Sequence, residues 1–222
     1  MKAVCQALLM ASVAVARLLS QTVEERDGNI YFTDTDGHTV QLTSTGLDSS
    51  PSLSKDTRLV VFVRKTPSLK IGTGLGYAID NELWVAHTSG TEPAQRILIG
   101  HPGTFHTDGS LLLAGFRHPQ FSPDARRVYF ESTAWASAGA VWMGNVETGK
   151  ATFLYVGSSV EVIQSGQYAG YLIALKEIPR VVAGRVERYW LLDRDGKEVG
   201  EIGESNDSLT EFKEAFEVDG KR

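Results

Sequence analysis

Apolar residues along this chain come in short runs, separated by stretches rich in Asp, Gly, Ser and Thr. Runs of that length bounded by turn residues predict β-strands joined in hairpins. Gly28 to Thr43 sets the pattern: Ile30-Tyr31-Phe32, an Asp/Gly turn, then Val40-Gln41-Leu42. The design recurs three times. Leu83-Trp84-Val85 leads through Ser89-Gly90 to Arg96-Ile97-Leu98-Ile99, and Val141-Trp142-Met143 through Thr148-Gly149 to Thr152-Phe153-Leu154-Tyr155-Val156. Tyr189-Trp190-Leu191-Leu192 leads through Asp195-Gly196 to Glu198-Val199-Gly200-Glu201-Ile202. Tyr31, Trp84, Trp142 and Trp190 hold the same place in each copy, 53, 58 and 48 residues apart. Gly37, Gly90 and Gly196 follow six residues later and Gly149 seven, where a tight turn needs positive φ.

A second motif lies between these hairpins. Pro51 to Phe62 aligns without gaps on Pro119 to Phe130 in the frame P-x-x-S-x-D-x-R-x-x-x-F, which carries Ser54 and Asp56 in one copy and Ser122 and Asp124 in the other. A strand ending at the Ser, an Asp-containing turn and a returning strand are the expected structure. Glu161 to Gly166 followed by Tyr171 to Leu175 keeps the apolar, turn, apolar order as a degenerate third copy. Alternating the two hairpins gives four-stranded units of roughly 40–60 residues, the period of β-propeller blades. A β-sandwich fits the strand lengths but explains neither the aromatic-to-glycine spacing nor the matched Ser/Asp frame. In a propeller the four aromatics pack between adjacent blades; a carbohydrate-stacking face is the sharper alternative.

Two segments, Asp48 to Phe62 (ending PSLSKDTRLVVF) and His118 to Phe130 (HPQFSPDARRVYF), each lie beside an "IY/LW…G" hairpin. They resemble the repeats of TolB-like β-propellers, also found in the propeller domains of prolyl oligopeptidase-type peptidases. The resemblance spans about residues 28 to 202. The family frame is roughly P-x-W/F-S-P-D-G; here Ala125 and Thr57 stand in place of its Gly, and Lys55 in place of its second Pro. What it implies is a fold shared by binding proteins, peptidase gates and sugar lyases.

Written as inner then outer hairpin, residues 51 to 99, 119 to 156 and 160 to 202 make three blades, and 28 to 43 a leading half-blade. The expected fold is therefore all-β and propeller-like, with about four blades (three full plus a split or partial fourth) and an incomplete ring among its closures. A four-bladed ring, an open arc capped by terminal segments and completion by a partner chain are the alternatives, and a compact domain with covered edges is preferred. Propeller blades occupy 28–204. In the 205–222 tail, Leu209, Phe212, Ala215 and Phe216 have helical spacing, with Ser208-x-x-Glu211 as a capping box.

Lys2 and the 14-residue apolar stretch from Ala3 to Ala16, ending Ala14-Val15-Ala16, have the form of a signal peptide over 1–16, with 17–27 as a linker. That predicts a secreted or periplasmic protein with no integral membrane segment once the leader is removed, since 14 residues are too few to span a bilayer. Of 222 residues, 22 are Lys or Arg and 27 Asp or Glu, a net charge of −5, which leaves no surplus of cations for nucleic acid. The single cysteine, Cys5, excludes an intramolecular disulfide framework.

His101, His106 and His118 fall in one insertion, where they could form a metal site or an acid/base pair. Loop histidines without metal are the plainer reading, because the spacing matches no standard ligand pattern. Arg117 to Pro123 also resembles the His/Gln-bearing strand of oligogalacturonide lyases, propellers with a metal-binding His and Gln cluster. That resemblance implies His118 and Gln120 as ligands of a divalent metal, although Glu131-Ser132 stands where the family has a further His-Glu pair. Gly72 to Gly76 lacks the following helix of a phosphate loop, and no G-x-S-x-G nucleophile elbow occurs. Asp34/Asp36 and Asp193/Asp195 sit at hairpin turns, where Asp serves local backbone hydrogen bonds; calcium is the alternative.

The expected function is a non-catalytic propeller that binds a protein or peptide through a loop face built by 66–81 and 100–118, without a cofactor; self-association is compatible with it. The alternatives are a metal-dependent propeller enzyme resembling oligogalacturonide lyase and the propeller remnant of a peptidase.

Overall fold

The computed structural model describes residues 20–66, 81–99, 101–105, 112–113, 115–133, 139–179 and 185–218. Strands β1 (Thr22–Arg26), β2 (Asn29–Thr33) and β3 (Thr39–Gln41) form a three-stranded antiparallel sheet. A four-stranded sheet follows, made of β4 (Asp48–Leu53), β5 (Leu59–Lys65), β6 (Asn81–His87) and β7 (Gln95–Ile99). The short β8 (His101–Phe105) and β9 (Leu112–Leu113) pair with each other. β10 (Arg117–Phe121), β11 (Arg127–Thr133), β12 (Gly139–Asn145), β13 (Ala151–Val162), β14 (Leu172–Pro179), β15 (Arg185–Leu192) and β16 (Glu198–Gly203) run in sequence order as seven strands, and α1 (Asn206–Ala215) closes the chain.

The seven strands are two blades sharing one strand. The first half of β13, Ala151 to Val156, pairs with β12; its second half, Gly157 to Val162, pairs with β14. The outer strand of one blade thereby becomes the inner strand of the next without a loop. The molecule is an arc of a partial blade I (β1–β3) and three four-stranded blades: II (β4–β7), III (β10 to the first half of β13) and IV (the second half of β13 to β16). This is the incomplete propeller that the repeats predict.

Each junction between neighbouring blades has its own apolar cluster. Ile30, Val60, Phe62 and Ala86, with Trp84 against them, join I to II. Val61, Leu83, Val85, Phe121, Phe130 and Trp142 join II to III. Tyr129, Val141, Tyr155, Leu172 and Leu192, with Trp190 against them, join III to IV. In register Trp84 faces Phe62 and Trp142 faces Phe130, so the aromatic position of the outer hairpin anchors the repeated seam. Tyr31, in blade I, has the Arg26 guanidinium over its ring at 5.1 Å.

The four turn glycines, Gly37, Gly90, Gly149 and Gly196, have φ of 85°, 66°, 66° and 84°. Three also seat on the outer strand of the preceding blade. A Cβ would come within 2.7 Å of Val40 at Gly90, 2.5 Å of the Ile97 carbonyl at Gly149, and 2.9 Å of Leu154 at Gly196. The same glycine thus closes its own hairpin and admits the neighbouring blade.

The last cluster answers how the arc ends. Ile163, Ile173, Leu191 and Val218 are buried, with Leu209 and Phe212 of α1 packed against them. The helix covers the face of blade IV that points away from blade III. At the other end, β1 and β2 present Glu24, Arg26, Tyr31 and Thr33 on the face opposite Ile30 and Phe32. Across the axis, the Lys55 ammonium of blade II donates to the Gln164 carbonyl of blade IV at 2.7 Å.

Four local readings need correction. Residues 22–26, within the expected linker, form β1; with Val23 their only apolar side chain, pairing to β2 and not hydrophobic alternation makes them a strand. The helix starts at Asn206 and is capped by Ser205, whose hydroxyl accepts from the Ser208 amide at 3.2 Å; Ser208 lies inside it. The 100–118 insertion contains the β8–β9 pair and the start of β10, not loop alone. Inner strands begin at Asp48 and Arg117, upstream of the Pro of the repeat, because a β-bulge at Ser49/Ser52 and Arg117/Gln120 lets the strand continue past it. The leader over 1–16 and the Gly72 to Gly76 run lie outside the described residues.

Candidate binding face and the His118–Glu131 pair

The two copies of the Ser/Asp frame fold alike. Ser54 donates to Asp56 at 2.7 Å and accepts from the Leu59 amide at 2.9 Å; Ser122 donates to Asp124 at 2.6 Å and accepts from the Arg127 amide at 3.0 Å. Asp56 and Asp124 also take the Arg58 and Arg126 amides. The Ser hydroxyls are the main cause holding both carboxyls below the usual carboxylate range. These residues build the inner turn. Asp34 and Asp193 do the same for outer turns, each taking two backbone amides, all at 2.9 Å. Asp34, Asp36 and His38 bring ligand-type atoms within 4.8 Å of one another on the surface of the first of these turns.

The opposite end of the inner strands carries the candidate site. β5 runs antiparallel to β4, so residues 65 and 81, which bound one insertion, lie beside the start of the inner strand. The Asn81 amide ties this end of blade II to blade III: Nδ2 donates to the Phe116 carbonyl at 3.0 Å, and Oδ1 accepts the Phe116 amide at 2.9 Å. The segments 66–81 and 100–118 therefore lead to the same end of the arc. His118 stands there, exposed, at φ 46°. Ser50, its equivalent in blade II, has φ 52°, so the left-handed backbone belongs to the repeated bulge and is no special strain at the histidine.

His118 Nδ1 lies 3.1 Å from Glu131 Oε2, and Arg117 Nε lies 3.9 Å from the same oxygen. Glu131 is buried, at 6% exposure. Its equivalents are Val63 in blade II and Leu175 in blade IV, so a carboxylate replaces an apolar residue at this one blade. Nearby Tyr155, whose hydroxyl donates to the Ser159 carbonyl at 2.8 Å, has its pKa raised by burial and further by the Glu131 charge. The pair sets a buried carboxylate against an exposed imidazole.

Gln120 is placed differently. Its Nε2 donates to the Val160 carbonyl at 2.8 Å and its Oε1 accepts the Val162 amide at 3.1 Å, so both ends of the amide clamp β10 to β13. His101 lies in β8, paired with Leu113, and His106 lies outside the described residues. Sequence reasoning missed the partnership of His118 with Glu131; the signal was there, in a Glu where the other copy of the frame continues with Val63.

Fold and site together define an open β-propeller arc with a polar pair at the insertion-bearing end. Among solved structures, the tricorn protease matches at a TM-score of 0.56 and 10% identity, over 84% of this chain and 16% of that one. The β-propeller domain of the Trilobed protease from Pyrococcus furiosus, described as having an open velcro topology, matches at 0.50 and 14%, over 80% and 48%. An oligogalacturonate lyase in complex with manganese matches at 0.50 and 11%, over 80% and 42%. TolB from Acinetobacter baumannii is also similar, at 0.48 and 14%, over 80% and 38%. The chain spans less than half the length of each. No family model and no curated protein matches the sequence. The fold is that of the β-propellers found in these peptidases and in the lyase.

Proposed function

We propose that the chain is a non-catalytic β-propeller module, secreted or periplasmic, that binds a protein or peptide at the end of the arc bearing His118, Glu131 and the two insertions. The observation that carries this reading is Gln120. The side chain that would complete a metal set with His118 holds the backbone of the next blade with both its polar atoms. Rigid blades with long connections gathered at one end suit recognition by loops. A peptide array read with the wild-type protein and with Glu131→Gln tests it. Peptides should bind the wild type, and loss of the buried charge should weaken them by about tenfold or more. Equal binding by both proteins would remove this face from the proposal.

The metal-dependent enzyme remains the second reading, favoured by the buried Glu131 against His118 and by the fold shared with a manganese-containing lyase. Stoichiometric transition metal in purified protein, lost in His118→Ala, would replace the binding reading with this one. For the leader, secreted material should begin at Arg17. Among the described residues no helix is long and apolar enough to cross a membrane.

A further inference from the structure

The repeats make each blade junction an internal control for the next. At the junction of II and III, Leu59, Val61, Ala125 and Val146 belong to one apolar cluster. Aligning the inner frames puts Arg127 and Tyr129 where Leu59 and Val61 stand, and aligning the outer turns puts Arg194 where Val146 stands. At the inner-turn end of the junction of III and IV, beside its apolar cluster, this packed contact is replaced by an open polar pocket of about 220 Å³, lined by Ser122, Asp124, Arg127, Tyr129, Gly170 and Arg194 among others, with Asp124 and Arg194 exposed.

The cavity is held open by a fixed frame. Tyr129 Oη and Arg127 Nη1 both donate to the Arg194 carbonyl, at 2.7 Å and 2.8 Å, and Arg127 also pairs with Asp195 at 2.7 Å. These bonds pin the backbone of the turn and leave the Arg194 guanidinium beside Gly170, with no acceptor among the described residues. On the other wall Asp124 uses Oδ1 for the Ser122 hydroxyl and the Arg126 amide. Those contacts keep it ionised and leave Oδ2 for another partner.

We propose that this cavity binds a small zwitterion of α-amino-acid type, its carboxylate on Arg194 and its ammonium on Asp124. A planar guanidinium fork suits a carboxylate. Arg127 is paired with Asp195, so the lining charges left to face a ligand are the opposite ones of Arg194 and Asp124, the latter with Arg126 near it, and a ligand with separated charges suits them better than a bare anion. The volume lies below that of sites for drug-sized ligands, about 300–1,000 Å³, and suits a ligand of a few heavy atoms. The site lies at the inner-turn end of the strands, away from His118, and is independent of the proposal made for that face.

The test is thermal-shift screening of the full-length protein against the twenty amino acids, followed by calorimetric titration of the best. At least one amino acid should saturate. Its N-acetyl form, lacking the ammonium, and its amide, lacking the carboxylate, should each bind about tenfold or more weakly, as should the amino acid to Arg194→Ala. The variant keeps the turn carbonyl, so it retains the frame. A second protein, R127L/Y129V/R194V, rebuilds the apolar junction of II and III and should fold without binding. No saturation by any amino acid, or binding unchanged in Arg194→Ala, overturns the site. Saturation by inorganic phosphate alone, abolished in Arg194→Ala, overturns the ligand class.

Discussion

Thr57 and Ala125 sit at φ 61° and 57°, in the left-handed region at the turn of each Ser/Asp frame, where the family frame has Gly. A side chain there costs roughly 1–2 kcal/mol, more for β-branched Thr, and Gly gives some of that back as unfolded-chain entropy. Thr57→Gly should therefore raise unfolding stability in urea by about 1 kcal/mol, and Ala125→Gly by somewhat less. The neighbouring carboxylates predict a pH response. Asp56 and Asp124 have lowered pKa values in the folded chain, so their contribution is complete above the unfolded value of about 4 and disappears as pH falls through the folded values. Denaturation midpoints measured from pH 6 to 2 should fall on the acid side, and fall less steeply in Asp56→Asn. The turn itself was legible in the sequence, because Ser, Asp and the residues they bond lie within a few positions of one another; the left-handed backbone and the lowered carboxyls came with the structure.

At the scale of elements, side-chain amides finish what strands cannot. Asn81 and Gln120 each bridge two backbone groups of the following blade, standing in for a strand where none pairs. Gln120→Leu leaves the Val162 amide and Val160 carbonyl unmet beside buried side chains, a loss of about 2 kcal/mol or more. Urea denaturation measures it, and Gln120→Glu, which keeps one acceptor, should fall between. Nothing in the sequence distinguishes Gln120 the clamp from Gln120 the ligand. The difference lies in what is 40 residues away, where the Gln120 amide meets the Val160 carbonyl and the Val162 amide. The bulge is a similar case. Its two left-handed residues, Ser50 and His118, precede Pro in both copies, yet only the pairing register shows a shared backbone device.

For the whole molecule, the question is how a short arc protects its ends. Blade IV buries Ile173 and Leu191 under α1, although no residue of the helix itself is buried. It is held by Phe212 stacked on Tyr168 at 5.9 Å and by Lys213 paired with Glu161 at 2.6 Å. Truncation after Gly203 should therefore expose a blade-docking face and drive association, seen as larger species in light scattering after size exclusion. Phe212→Ser, which loosens the cap without removing it, should give a smaller shift in the same direction.

Repetition in the sequence was enough to determine the blades, their order and the turns that close them, since each hairpin is written in about twenty consecutive residues whose turn chemistry and alternation are local. It also divided residues 28 to 204 into about four units. Only the tertiary structure decided what lies between and beyond the blades. Apolar packing joins each blade to the next, a polar pocket opens at the inner-turn end between III and IV, Glu131 reaches His118, and a helix covers the far face. Those outcomes depend on side chains from different blades meeting across the seams. Residues such as Arg127 and Arg194 occupy ordinary positions in their own repeats and acquire a role only when the blades come together.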